Sequence, residues 1–132
     1  MNANELRIGN LVYDTCRELN KLIVKSDFMS LDYRIEIGMI KPILLTPDVL
    51  KKLGFIDKFS SNLRTDNIYF EKKYFVSNDK IFWFKLEKIL NENGYFSHNL
   101  NIKRLKILYV HQLQNLYFAL TGEELVVSDA VS

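Results

Sequence analysis

The stretch YVHQLQNLYFALTGEEL, from Tyr109 to Leu125, decides the main helix of the fold. Apolar side chains recur in it at steps of three and four residues, which places them along one side of an α-helix. They are Val110, Leu113, Leu116, Tyr117 and Leu120. Thr121 and Gly122 follow the last of them, and glycine readily adopts the left-handed conformation that ends a helix. We therefore predict a helix over Val110–Thr121.

The opposite side of this helix carries His111, Gln112, Asn115 and Phe118. A phenylalanine is not expected on the solvent-facing side of a helix. We therefore expect Phe118 to make either a second contact with the core or a contact with a partner. Both interpretations stay open, and in the second one His111, Asn115 and Phe118 are secondary interface candidates.

A second helix is predicted over Pro47–Leu53. Thr46 is a favoured N-cap, proline suits the first turn because its missing N–H would have no helical partner, and Asp48 complements the positive helix end. Gly54 then ends the helix before Phe55 returns to the core.

Short segments rich in β-branched and aromatic residues predict strands around these helices. The segments are Arg7–Tyr13, Leu22–Phe28, Tyr33–Ile37, Ile68–Val76, Lys80–Leu86 and Ile102–Tyr109. The first two segments are predicted to form a hairpin, and so are the fourth and fifth. Ile56–Thr65 reads as a polar loop, and Leu86–Asn93 reads as a short helix that Gly94 closes. The prediction is an α+β fold in one domain over residues 1–132, with a curved antiparallel sheet of about five to seven strands and two main helices. A polar connection near residues 56–67 separates its halves.

Composition limits the class of protein. The chain has 132 residues, of which 48% are hydrophobic, and its 18 basic and 16 acidic side chains give a net charge of +2. That balance argues against a surface built wholly for polyanions. No apolar run is long enough to span a membrane and no secretory signal opens the chain, so a cytoplasmic protein is expected. Cys16 is the only cysteine, which excludes an intrachain disulfide.

No motif points to catalysis, to a metal or to a cofactor. A glycine-rich phosphate loop, a nucleophile elbow and a His-Glu metal helix are all missing from the sequence. The carboxylates are scattered singly, which leaves a hydrolase built from dispersed Asp and Glu as a remaining alternative. We expect a protein that is not an enzyme.

The window Asn67–Tyr109 concentrates charge and aromatic rings. It holds eight basic and four acidic side chains, and eight minus four gives a local charge of +4; it also holds ten of the 17 aromatic side chains. Such a composition suits a platform for single-stranded RNA, where rings stack on bases and cations hold phosphates. The same composition also suits a protein interface. The third interpretation is that the rings are core and the lysines only decorate exposed edges.

The predicted partner-binding residues combine these cations and rings. They are Lys72, Lys73, Tyr74, Trp83, Lys85, Lys88, Tyr95, Lys103, Arg104 and Lys106.

Three segments together resemble a group of small proteins of unknown function carried by phages and prophages. They are YVHQLQNLYFALTGEEL, ELRIGNLVY at Glu5–Tyr13 and IKPILLTPDVLKKLGF at Ile40–Phe55. The resemblance implies a mobile-element gene that works inside a bacterium, where short proteins often block host defences. It leads us to expect a non-enzymatic inhibitor that binds a host defence protein or its RNA-loaded complex, such as an anti-CRISPR protein against an RNA-targeting, RNA-guided nuclease. The alternatives are a stand-alone module for single-stranded RNA or DNA and an uncharacterised hydrolase.

Overall fold

The computed structural model describes residues 1–59, 68–77, 80–88, 93–97 and 106–126. Within them the chain forms antiparallel strands in two sheets, three α-helices and two short 3₁₀ helices, which confirms the α+β class. The chain divides into two compact units. Unit 1 comprises Met1–Leu44 and Tyr109–Glu124, and unit 2 comprises Leu45–Leu108 and Leu125–Ser132.

Unit 1 contains a sheet of three short strands. They are β1 (Leu11–Asp14), β2 (Leu19–Leu22) and β3 (Ile40–Lys41), with β1 in the middle. β1 and β2 form the predicted hairpin, but both strands differ in extent from the prediction.

Two turns explain the difference. The Asn10 side chain accepts a hydrogen bond from the Arg7 N–H at 2.7 Å, and the turn that this bond closes delays the first strand to Leu11. After β1 the Asp14 carboxylate accepts hydrogen bonds from the N–H groups of Cys16 and Arg17, so the chain reverses early and the second strand ends at Leu22. The expected strand over Leu22–Phe28 is therefore wrong beyond its first residue, and a 3₁₀ helix spans Lys25–Met29.

The segment predicted as a strand at Tyr33–Ile37 is helical. Helix α1 spans Leu31–Glu36, and Gly38 closes it with a φ of 79°. The Gly38 N–H donates to the Ile35 carbonyl at 3.1 Å and the Met39 N–H donates to the Arg34 carbonyl at 2.8 Å. The strand prediction failed because the alternation of apolar residues does not correspond to burial: Leu31 is buried, whereas Tyr33 and Ile37 are exposed.

Helix α3 (Val110–Thr121) has the predicted bounds. Gly122 ends it in the left-handed conformation, with its N–H donating to the Phe118 carbonyl at 2.8 Å. Val110, Leu113 and Tyr117 are buried as expected, but Leu116 is half-buried and Leu120 is exposed. The buried side is thus rotated relative to the predicted stripe.

The core of unit 1 lies between these elements. Its buried apolar cluster consists of Leu6, Val12, Ile23, Leu31 and Ile40.

Unit 2 contains a five-stranded antiparallel sheet in sequence order. Its strands are β4 (Ile56–Phe59), β5 (Ile68–Ser77), β6 (Lys80–Lys88), β7 (Tyr95–Ser97) and β8 (Lys106–Ile107). The predicted hairpin of two aromatic strands is confirmed as β5 and β6, which pair along their whole length with a register shift between Phe75 and Ser77.

Two predictions about the connections of unit 2 need correction. Ile56–Phe59 was expected to lie in a polar loop, but it forms a strand that pairs with β5. The pairing supplies hydrogen-bond partners for backbone N–H and C=O groups along that edge of β5. Leu86–Lys88 was expected to form the start of a short helix, but it belongs to strand β6. Residues 60–67 and 89–92 lie outside the described residues, as does the first part of the strand predicted over Ile102–Tyr109.

Helix α2 (Pro47–Lys52) precedes the sheet and confirms the second predicted helix. The Thr46 hydroxyl accepts a hydrogen bond from the Val49 N–H at 3.2 Å. Leu50, Leu53 and Phe55 are buried, and the Phe55 ring packs edge-on against Phe84 with 6.0 Å between centroids.

Candidate interaction surface

The β5–β6 hairpin sorts the predicted site residues onto two faces. Residues directly opposite each other in an antiparallel pair share a face, and successive residues alternate. Lys72 lies opposite Phe84, whereas Lys73 lies opposite Trp83. The predicted cations and rings are therefore split between the two sides of the sheet.

The inner face is the core of unit 2. Phe70, Phe84 and Leu86 are fully buried, and the Tyr95 ring packs edge-on against Phe70 at 5.8 Å between centroids. Tyr95 was predicted to contact a partner, but it is itself buried. Burial also raises the pKa of its phenol, because the charged form would lose its hydration.

Lys72, Tyr74 and Lys88 occupy inner-face register positions and are half-buried. The Lys72 ammonium donates a hydrogen bond to the Leu53 carbonyl at 3.1 Å, which is at the C-terminal end of α2. A cation stabilises the negative end of a helix, so Lys72 has a structural role in unit 2. These three residues are not grouped with the exposed residues of the other face.

The opposite side of β4, β5 and β6 is called the outer face. Its members are Ile56, Tyr69, Glu71, Lys73, Ile81, Trp83 and Lys85. Ile56, Lys73, Ile81 and Trp83 are exposed on it, whereas Tyr69, Glu71 and Lys85 are half-buried. Trp83 is 41% exposed and Ile81 is 50% exposed, and both lie in the part of β6 nearest the hairpin turn, where β5 is the only described strand that pairs with it. Three residues on this face (Lys73, Trp83 and Lys85) were predicted from the sequence.

The same side continues across β7 and β8. Glu87 pairs with Phe96, which pairs with Lys106. Glu87 and Phe96 are buried, whereas Lys106 is exposed. Lys106 was predicted as a site residue; Lys103 and Arg104, which were predicted with it, lie outside the described residues.

Contacts within the outer face occupy its cations. The Lys85 ammonium lies 3.4 Å from a carboxylate oxygen of Glu71 and 5.1 Å from the centroid of the Tyr69 ring. The Lys73 ammonium lies 5.7 Å from the centroid of the Trp83 ring. Cation–π contacts hold the lysine stems over the rings, so the surface presents packed apolar area with positive charge around it.

Ile56 and Ile81 are exposed residues of this face that the sequence did not single out. Ile56 was assigned to a loop, and Ile81 stands in a continuous apolar run that gives no sign of which face is exposed. The pairing register supplies the missing signal, since it places both side chains with Glu71, Lys73 and Trp83.

The secondary candidates lie in unit 1 on α3. Asn115 accepts hydrogen bonds from Arg7 Nε and Asn10 Nδ2, both at 2.9 Å, and donates to the Glu5 carbonyl at 2.8 Å. The Arg7 guanidinium lies 4.4 Å from the centroid of the Phe118 ring, which is 40% exposed. Both side chains therefore take part in the packing of unit 1.

His111 is fully buried, so its side chain is not displayed to a partner as predicted. Its Nε2 lies 3.4 Å from a Glu5 carboxylate oxygen, and its ring stacks on Tyr109 with 5.9 Å between centroids. Burial lowers the pKa of His111, and the neighbouring Glu5 carboxylate opposes that shift. Its Nδ1 has no hydrogen-bond partner among the described residues.

No group of three or more His, Cys, Asp and Glu side chains in the described residues is placed to hold a metal ion. No helix in the described part of the chain is long and apolar enough to cross a membrane.

Comparison of the chain with models of protein families, with curated proteins and with solved structures gave no match.

Proposed function

We propose that this chain is a non-enzymatic binding protein that docks on a protein partner through the outer face of its five-stranded sheet. The observation that carries the proposal is the exposure of Trp83 and Ile81 on one face of the β5–β6 hairpin, with Lys73 directly opposite Trp83. Tryptophan is the residue type most enriched among side chains that dominate binding energy at protein interfaces. Exposed apolar area rimmed by charge is typical of such a surface.

The arrangement of charges favours protein over single-stranded RNA as the partner. Lys85 is paired with Glu71, and Lys72 is used at the end of α2. A Glu carboxylate in the middle of the face repels phosphates, whereas RNA platforms need uncompensated cations along the path of the backbone. The chemistry that fits best is an apolar protein surface with acidic side chains around it, which would meet Lys73 and Lys106.

The resemblance to phage and prophage proteins supplies the biological setting of the proposal. In that setting the chain is a phage-borne inhibitor of a bacterial defence system, and the partner is a host effector such as an RNA-guided nuclease or its RNA-loaded complex. Binding alone inhibits such an effector when it covers a working surface, so the proposal requires no catalytic group in this chain.

The test is a single substitution at the exposed tryptophan of the outer face. Trp83→Glu should weaken inhibition in a bacterial strain that carries the defence system, because it removes the apolar anchor and introduces a carboxylate that would face the partner's acidic side chains. A loss of about 2 kcal/mol, or roughly thirtyfold in apparent affinity, is expected for an anchor of this kind. Phage plating efficiency and titration of the purified effector measure it.

The matched control is Leu19→Glu, which places the same charge at a comparably exposed leucine in unit 1. It should inhibit like the unmodified chain. If the Trp83→Glu variant inhibits the effector as strongly as the unmodified chain does, the proposal is contradicted.

RNA binding is tested separately with a fluorescent oligouridine. We expect weak binding with a shallow dependence on salt, since few phosphates can be neutralised. Tight binding that declines steeply with salt would instead identify the chain as a single-strand binding module.

A further inference from the structure

The first six residues of the chain contact α3, and we call Met1–Leu6 the N-terminal latch. The Asn115 side chain of α3 donates a hydrogen bond to the Glu5 carbonyl at 2.8 Å. Leu6 is buried in the core cluster of unit 1. Short segments at a chain end that bury little apolar area open at a smaller cost in free energy than the core does.

The Glu5 carboxylate of the N-terminal latch contacts His111, which is fully buried on α3. Glu5 Oε1 lies 3.4 Å from His111 Nε2. The Asn2 N–H donates to the other carboxylate oxygen at 2.8 Å and lowers the pKa of Glu5, so this group is ionised at neutral pH. Because a carboxylate only accepts hydrogen bonds, the contact requires the proton of the neutral imidazole to be on Nε2.

A second proton on His111 would therefore have to bind Nδ1. That nitrogen is buried and has no hydrogen-bond partner among the residues that the structure describes. An N–H at this position would be unsatisfied while the ring is charged, and both features disfavour the protonated ring inside unit 1. Removal of the N-terminal latch opens the Nε2 edge of the ring to water, and hydration stabilises the charged form.

The other groups that face His111 in the described part of the chain leave this balance unchanged. Burial lowers the pKa of His111, the Glu5 carboxylate opposes that shift, and the amino group of Met1 adds to it. The Glu5 side chain is 41% exposed and is shared with the Asn2 N–H, so water screens part of its charge. The Tyr109 ring supplies a flat face that stacks on the imidazole.

We propose that the N-terminal latch is a pH-sensitive device that is closed on α3 while His111 is neutral and opens when His111 binds a proton. The closed state disfavours a proton on Nδ1, whereas the open state accepts either form of the ring, so proton binding favours opening. The turn after the latch limits the movement: the Asn10 side chain accepts from the Arg7 N–H, and the Arg7 guanidinium is paired with Glu124. The device lies in unit 1 and uses no residue of the outer face.

Amide hydrogen exchange of the full chain at low concentrations of urea tests the proposal. The N–H groups of Glu5 and Leu6 donate to backbone carbonyls of the N-terminal latch, both at 3.0 Å, so their exchange reports its opening. Corrected for the intrinsic rate, this exchange should rise by up to about tenfold from about pH 7.5 to about pH 5.5, since one proton binds to a group with an ordinary pKa of 6.5. It should hardly depend on urea, because a local opening exposes little surface.

The N–H groups of Ile23 and Leu113 are the internal control. Both donate to backbone carbonyls in the body of unit 1, and their exchange should rise steeply with urea. His111→Gln removes the titrating ring, so exchange at Glu5 and Leu6 should become independent of pH in this range. Latch amides of the unmodified chain that exchange equally at both pH values would overturn the proposal. Latch amides with the same urea dependence as Ile23 and Leu113 would also overturn it, because the proton would then open the whole unit.

A titration of His111 by nuclear magnetic resonance tests the same device without a change at the ring. Leu6→Ala loosens the N-terminal latch, so the pKa of His111 should rise towards 6.5, because opening and proton binding favour each other. Leu31→Ala removes the same atoms elsewhere in the same core cluster and should leave that pKa unchanged. A pKa that both substitutions raise equally, or that neither raises, would contradict the proposal.

Discussion

His111 shows how one residue links burial to the behaviour of unit 1. Its ring is fully buried against Tyr109, and the Glu5 carboxylate lies 3.4 Å from Nε2. A buried imidazole is stable in its neutral form, because the charged form would lose hydration that a single exposed carboxylate only partly replaces. The sequence placed His111 on the wetted side of α3, and only the packing of unit 1 shows that it titrates inside the core.

We expect the chain to lose stability in weak acid because of His111. Its folded pKa lies below the ordinary value of 6.5, so as the pH falls the unfolded chain binds a proton first. The contribution of neutral His111 is complete above about pH 6.5 and declines below it, by at most about 1.4 kcal/mol per pH unit for one proton. Urea unfolding at about pH 7.5 and about pH 5.5 measures this decline.

His111→Gln removes the titrating group and should flatten the decline in that range. The carboxylates Glu5 and Asp27, whose pKa values are lowered from 4.5 and 3.8, lose their contributions only at more acid pH. An equal decline in the variant and the unmodified chain would show that another group is responsible.

At the scale of elements, the end of α2 is fixed by a contact between a helix and a strand. Gly54 has a φ of 92°, and the Lys72 ammonium from β5 donates to the Leu53 carbonyl beside it. A Cβ at Gly54 would collide with the Lys72 ammonium. The sequence correctly predicted that Gly54 ends this helix. It assigned Lys72 to a binding surface, because the sequence around a lysine in a strand does not show which face of the sheet the side chain occupies.

We expect Gly54→Ala to destabilise the chain more than Gly122→Ala does. Both substitutions strain a left-handed backbone, at a cost of about 1 kcal/mol or more each. At Gly122 a Cβ would meet nothing within 4 Å, whereas at Gly54 it displaces the Lys72 ammonium from the helix end. The extra cost is that of a charged hydrogen bond and a favourable helix-dipole contact, together about 1 to 2 kcal/mol.

A double-mutant cycle with Lys72→Ala checks the cause. If displacement of Lys72 explains the difference between the two glycines, Gly54→Ala should cost less in the Lys72→Ala background, as chemical denaturation would show. A cost that stays the same in both backgrounds would mean that backbone strain alone distinguishes the glycines.

At the scale of the molecule, unit 1 is built from both ends of the sequence. The Arg7 guanidinium pairs with both carboxylate oxygens of Glu124, and its Nη2 lies 3.4 Å from the Gln114 carbonyl. Its Nε donates to Asn115, and its plane lies over the Phe118 ring. One side chain thus joins the segment before β1 to α3 and to the segment that follows it.

We expect Arg7→Lys to destabilise unit 1 although it conserves the charge. A lysine ammonium cannot make the two parallel bonds to Glu124, donate to Asn115 and stack on Phe118 at once. A loss of about 1 to 2 kcal/mol in the free energy of unfolding is expected, mainly from the half-buried bond to Asn115, since exposed ion pairs contribute little.

Arg17→Lys, at an exposed position after β1, is the matched control for this substitution and should leave the unfolding midpoint unchanged. Equal midpoints for the two variants would show that Arg7 acts as a charge alone.

Local signals in the sequence sufficed for α2, for α3 and for the β5–β6 hairpin. Caps, closing glycines and 3.6-residue periodicity act within a few residues, so they can be read without knowing what packs against them. Local signals gave the wrong element at Tyr33–Ile37, because the alternation of apolar residues was taken as a strand although Gly38 can end a helix. They also gave the wrong element at Ile56–Phe59, a polar segment that forms a strand by pairing with β5.

The sequence by itself therefore determined the α+β class, the two main helices and the concentration of rings and cations in the second half of the chain. Only the tertiary structure decided which of those side chains meet. Strand register placed Trp83, Lys73 and Lys85 outside with Ile81 and put Lys72 and Tyr95 on the inner side. The reason is physical: an aromatic strand is compatible with either face being buried, and the choice depends on the elements that cover one face.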